Sequence, residues 1–106
     1  MPKYLFTGTY TAEGVRALGA EGGTARLEAT ERMVASLGGA VVSYDFAMGD
    51  VDFVLVAELP EDAAALAAAM AGSASGSMRV RTTRLIPPAE LDAVGRLRPD
   101  YHAPGD

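Results

Sequence analysis

The chain has 106 residues, 49% of them hydrophobic and 22% charged, a net charge of −5 and no cysteine. That length suits one domain able to bury roughly two-thirds of its unfolded surface without staples. The composition excludes disulfides, thiolate metal sites and a thiol nucleophile, and it fits a reducing, cytoplasmic setting. Negative charge argues against nucleic acid as a partner, because phosphate binding needs a clustered positive field. The local exception is Arg79, Arg81 and Arg84. No run approaches the ~20 apolar residues of a membrane span, and Met1-Pro2-Lys3 leads into a strand pattern without a signal-peptide signature.

Lys3–Tyr10 is rich in aromatic and β-branched residues and predicts the first strand, with Tyr4, Phe6, Gly8 and Tyr10 on one face. Thr11 is placed to cap a short helical turn over Ala12–Leu18, which Gly19, Gly22 and Gly23 break. Thr24–Leu37 predicts a main helix with Thr24 as N-cap and an apolar stripe of Leu27, Thr30, Met33, Val34 and Leu37. Arg26 falls mostly off that stripe. Gly38-Gly39 supplies a left-handed helix end. Ala40–Met48 predicts a second strand with Val42, Tyr44 and Phe46 on one face and Val41, Ser43 and Asp45 on the other. After the turn at Gly49-Asp50, Asp52–Leu59 predicts a third strand that is apolar on both faces, joined to the second as a hairpin.

Pro60-Glu61-Asp62 opens a second helix with residues that suit a positive helix end. The nearly all-alanine run Ala63–Ala71 offers a face that packs close to a sheet. Met78–Ile86 predicts the fourth strand. Pro87-Pro88 stops it, and Ala89–Leu97 makes a short last helix. Residues 1–98 thus form one domain, and 99–106 a loose tail.

The order β-α-β-β-α-β is the split arrangement of ferredoxin-like folds. The expectation is an α+β sandwich with a four-stranded antiparallel sheet in the order 4-1-3-2 and helices on one face. A sheet wet on its second face should alternate apolar and polar residues, and the third strand does not. An uncovered apolar face of several hundred Å² is rare in monomers, so a second copy pairing through the open face is the direct solution. The competing solution folds the last helix over that face.

The stretch Gly49-Asp50-Val51-Asp52 followed by Phe53-Val54-Leu55-Val56-Ala57-Glu58-Leu59-Pro60-Glu61-Asp62 resembles the GYD-domain proteins. Their namesake motif, Gly-x-Tyr-Asp, leads into an apolar strand and an acidic helix start. The resemblance covers nearly the whole chain, including the Met-Pro-x-Tyr opening, Tyr10-Thr11-x-x-Gly14, Leu37-Gly38-Gly39 and Val80-Arg81-Thr82. It implies a ferredoxin-like domain of the dimeric α/β-barrel type with a largely uncharacterised role. Gly49 and Asp52 match the motif, while Val51 replaces its tyrosine.

Each candidate group carries a structural and a functional reading. Gly49 and Asp52 are turn residues, or ligand contacts. Tyr10 and Tyr44, with Phe46, pack a core or interface, or wall an aromatic ligand with hydroxyls as handles. Arg79 and Arg81 share one face of the last strand, near Thr7 and Thr9 and farther from Asp45. They form interface ion pairs, or recognise a carboxylate or enolate. His102 is solvated in the tail, or an acid or base if the tail covers a pocket. Metal-ligand spacing, nucleophile elbows and phosphate-binding glycine loops are all missing, so neither metal nor cofactor is expected.

Three functions are compatible with this pattern. The first is a homo-oligomeric small-molecule-binding or regulatory domain for an aromatic or acidic ligand. The second is a cofactor-independent isomerase, cyclase or monooxygenase acting on an aromatic or enolisable substrate. The third is a structural assembly protein. A partly apolar cavity between sheet and helices, with a tyrosine and an arginine converging on it, separates the first two from the third.

Overall fold

A computed structural model describes all residues, Met1–Asp106. Its elements are β1 (Lys3–Tyr10), α1 (Ala12–Glu21), α2 (Gly23–Ser36), β2 (Ala40–Phe46), β3 (Phe53–Glu58), α3 (Asp62–Ala74), β4 (Met78–Leu85) and α4 (Pro88–Val94). The four strands form one open antiparallel sheet in the order β2-β3-β1-β4. This is the α+β, ferredoxin-like arrangement that the order of elements predicts.

Alternation along the strands sends Tyr4, Phe6, Phe53, Leu55 and Ala57 to one face, where all are buried with Val34 of α2 and Ala65, Ala68 and Ala69 of α3. The alanine face of α3 does lie on the sheet, and Leu66 and Met70 of the same helix point to solvent. Close packing continues at Gly8. A Cβ there would come within 2.4 Å of the Phe53 ring and 2.7 Å of the Arg79 carbonyl oxygen, so only glycine lets β1 pass under that ring.

The helices differ from the sequence expectation in detail. Thr11 caps α1 by accepting the Gly14 N–H at 3.1 Å. That helix runs on to Glu21, because Gly19 keeps helical geometry while Gly22, at φ 91°, makes the break. Gly22, rather than Thr24, is therefore the N-cap of α2. Gly38, at φ 84°, ends α2 as expected.

β2 departs from simple alternation. Val41 pairs with Ala57 and Ser43 with Val56, leaving an irregularity between them that displaces Val42. Val41, Tyr44 and Phe46 therefore share the helix side, and Val42 is exposed. The bulge corrects the phase expected for Val41 and Val42, since one extra residue shifts the period-two pattern.

The second face of the sheet carries Leu5, Thr7, Val54 and Val56, each half-buried, with nothing of this chain laid over it. Every residue of α4 is exposed, including Leu91 and Val94, so the last helix does not roof this face. It projects instead. The radius of gyration is 17.1 Å and the longest extent 57 Å, where a compact chain of this length measures about 13 Å in radius of gyration.

Leu59 is fully buried where β3 leaves the sheet. Leu59→Ala should cost about 2–5 kcal/mol through lost burial and a residual cavity. Denaturant unfolding should show a lower midpoint with an unchanged slope.

Candidate functional site

The small residues that let α3 approach the sheet also leave space beside it. Ala68, Ala71 and Gly72 recur on one face of α3, with Ser75 capping its end, and Arg26, Ala29, Thr30 and Met33 lie on the facing side of α2. Between these stripes lies a cavity of about 220 Å³, with Phe6, Tyr44, Phe53 and Leu55 as its floor and Met78 and Val80 at its β4 side. A Cβ on Gly72 would stand 3.2 Å from Val80 and 3.3 Å from the Met78 sulfur, so glycine widens this end of the space.

The floor is largely aromatic. Tyr44 lies parallel to Phe53 with centroids 6.0 Å apart, and Phe46 meets Tyr44 edge-on at 5.3 Å. Tyr10 packs against Phe53 at 5.6 Å and shares a 3.3 Å hydroxyl–hydroxyl hydrogen bond with Tyr44. That bond uses one of the two phenolic hydrogens and leaves the other free to donate. Burial pushes the Tyr10 phenol well above its ordinary value of 10.0, and the bond to Tyr44 pushes further in the same direction. Tyr10 is therefore held protonated, as a hydrogen-bond group and not a base.

The other polar groups on the wall are partly committed. The Thr30 hydroxyl donates to the Arg26 carbonyl at 2.8 Å, and Ser75 donates to the Gly72 carbonyl at 2.6 Å. The Arg26 guanidinium meets Glu21 only through one nitrogen, at 3.7 Å and partly exposed, a weak pairing. The remaining N–H donors of its fork are available to an anion.

The sheet divides the residues singled out from the sequence. Tyr10 and Tyr44 lie on the helix side and meet. Asp45, Arg79 and Arg81 lie on the opposite face, where Thr7 pairs with Arg81 and Thr9 with Arg79. They do not reach the cavity. His102 is exposed in the tail, 3.7 Å from Asp100, and does not line the cavity either. The Asp52 carboxylate accepts the Tyr10 N–H at 2.8 Å, and its own N–H donates to the Gly8 carbonyl at 2.7 Å, fastening the β2–β3 loop to β1. Gly49 sits in that loop without the left-handed φ that glycine alone favours. Val51, at the position of the family tyrosine, lies near Thr9, Arg79 and Arg81 on the open-face side.

Arg26 is the site residue that sequence reasoning missed. The available signal was its position four residues before Thr30 and seven before Met33, which places it at the border of the apolar stripe. No three carboxylate or imidazole side chains are grouped so that they could hold a metal ion. No helix is long and apolar enough to cross a membrane.

The fold and its cavity define a ferredoxin-like α+β domain with an apolar chamber under its helices. The GYD domain family model matches residues 4–94. The chain belongs to the GYD domain family. No curated protein matches it.

The raised Tyr10 pKa has a consequence at high pH. Below about pH 10 the phenol is neutral in both folded and unfolded chains, and its contribution to stability is complete. As pH rises above that value the unfolded chain ionises first, and stability falls. Tyr10→Phe should move the alkaline limb of a thermal-midpoint-against-pH curve to higher pH. An unmoved limb would show that Tyr10 does not govern it.

Proposed function

We propose that this protein is a homo-oligomeric small-molecule-binding domain whose ligand is a small aromatic or otherwise apolar acid. The observation that carries the reading is the convergence of Arg26 and Tyr44 on one apolar chamber of about 220 Å³. The apolar walls suit a planar hydrophobic body, and burying such a group is worth roughly 25 cal/mol per Å². The Arg26 fork and the free phenolic hydrogen suit a carboxylate, since charged donors form the stronger hydrogen bonds.

Binding is favoured over catalysis by the character of the polar groups. The wall carries a guanidinium and the hydroxyls of Thr30, Tyr44 and Ser75. These groups orient an anion, whereas abstracting a proton near neutral pH calls for a group titrating there. Self-association belongs to the same proposal. The half-buried apolar residues of the open face have no cover within the chain, and a second copy supplies it.

A panel of small aromatic carboxylates, each followed by thermal midpoint, tests the ligand class. A ligand specific to the native state raises the midpoint in proportion to its occupancy. At least one acid should do so, and its neutral amide should bind about tenfold or more weakly. Arg26→Ala should remove the preference for the acid while retaining weak binding of the apolar body. Ala71→Phe, on the partly open wall of the chamber, should abolish the response to both compounds. A response that survives Ala71→Phe locates the ligand elsewhere.

A further inference from the structure

We propose that the open face carries a binding site for a phosphate dianion, formed by Arg79 and Arg81 of β4 with Thr7 and Thr9 of β1. The register of the sheet assembles it. Thr7 pairs with Arg81 and Thr9 with Arg79. The two arginines lie two residues apart, so they share a face of β4, as the two threonines share a face of β1. Residues two apart on a strand are separated by about 6.8 Å, and directly opposed Cβ atoms by about 5 Å. Four donor-bearing side chains therefore root at the corners of a rectangle on that scale. All four line one shallow concavity, which the β2–β3 loop also borders.

These donors are not used within the chain. Its ion pairs are Arg26–Glu21, Arg84–Asp62 and His102–Asp100, so neither Arg79 nor Arg81 has an acidic partner. The side-chain hydrogen bonds of the chain include none of the four residues either. Two like charges rooted side by side repel each other. A ligand with two negative charges removes that repulsion and engages both guanidinium forks.

The donor set selects the ligand class. Guanidinium forks match phosphate oxygens through paired N–H bonds, and threonine hydroxyls add single donors. A carboxylate offers one charge and two oxygens. A phosphate monoester offers close to two charges and three strong acceptor oxygens, a better match to two arginines and two hydroxyls. A nucleic-acid backbone is excluded, because two cations in a chain of net charge −5 do not make the extended positive field it needs. The ligand is therefore phosphate itself or a small molecule bearing one phosphate group.

Two neighbours bound the site. Asp50 lines the same concavity without an ion-pair partner, and its carboxylate opposes an incoming anion. Two guanidinium charges against one carboxylate still leave the concavity positive. Val51 lines it too, and its short side chain occupies little of the space. The four donors come from one protomer, so the site does not require self-association. It lies across the sheet from the chamber, so it is separate from the aromatic-acid site proposed above.

Amide NMR spectra of the full chain, titrated with inorganic phosphate or with methyl phosphate, test the site. Titrations run at about pH 8, above the second pKa of a phosphate monoester, about 6, with ionic strength held constant by sodium chloride. The wild type should show saturable shifts centred on residues 7–9 and 79–81. Arg79→Ala and Arg81→Ala should each weaken binding about tenfold or more, as loss of a charged hydrogen-bond contact does. Asp50→Asn should tighten binding, because it removes the opposing charge and keeps the shape. Arg96→Ala removes the same charge as the β4 variants at an exposed position beyond α4 and should bind like the wild type. All four substitutions are at exposed positions, and the spectra themselves report whether each variant is folded. Methyl phosphate bound as well as phosphate supports an organic monoester as the ligand, and phosphate bound alone supports the free anion. Shifts that do not saturate, or that centre on the chamber around Arg26, overturn the site. So does an Arg96→Ala loss equal to that of Arg79→Ala and Arg81→Ala, or wild-type binding by both β4 variants.

Discussion

The constraint on which the rest depends is β3, a strand whose two sides both avoid water. Phe53, Leu55 and Ala57 are buried under the helices, while Val54 and Val56 are screened only by neighbouring strands. A strand of this kind belongs inside a sheet, and it lies between β2 and β1. Placing it there fixes the four-stranded order and gives the helices one face to cover. It also leaves a second face that the chain does not cover, because the last helix projects outward with its apolar side chains in solvent.

The helix side shows a second consequence of side-chain size. A helix faced with alanine and glycine comes close to a sheet, but its small side chains fill little of the gap between it and α2. The cavity is what remains when Ala68, Ala71 and Gly72 face the large rings of β3 and β2 across a shared wall. Filling that space with a larger side chain on α3 would ordinarily add stability through burial. The space instead stays open beside an arginine and a stacked tyrosine.

Much of this was legible in the sequence. Alternation located all four strands, and the double-sided β3 stood out because its inner and outer positions, from Phe53 to Ala57, are all apolar. The Thr11 cap was legible because a threonine just before a helical run readily accepts a first-turn N–H, whereas Asp52, expected to bond within its own turn, reaches across to the Tyr10 N–H. Three features were not. The bulge at Val42 reverses the phase of half a strand, and nothing in the run Ala40–Phe46 marks where an extra residue enters. The division of Tyr44 from Arg79 and Arg81 follows from register, which a pattern read strand by strand does not contain. The role of Arg26 depends on the width left between two helices, and that width is set by alanines forty residues away.

The same alternation that hid this division gives it meaning. Tyr44 points into the cavity, while its neighbours Ser43 and Asp45 point to the open face; Phe53 points in and Val54 out. One pair of strands thus supplies the floor of the chamber on one side and the centre and rim of the open face on the other. β2 is an edge strand with a bulge, held along one side only, and edge positions of this kind are less constrained than central ones. A partner seated over Asp45 would hold the strand that carries the Tyr44 hydroxyl. The open face and the cavity, though on opposite sides of the sheet, thus share the backbone of residues 43–45.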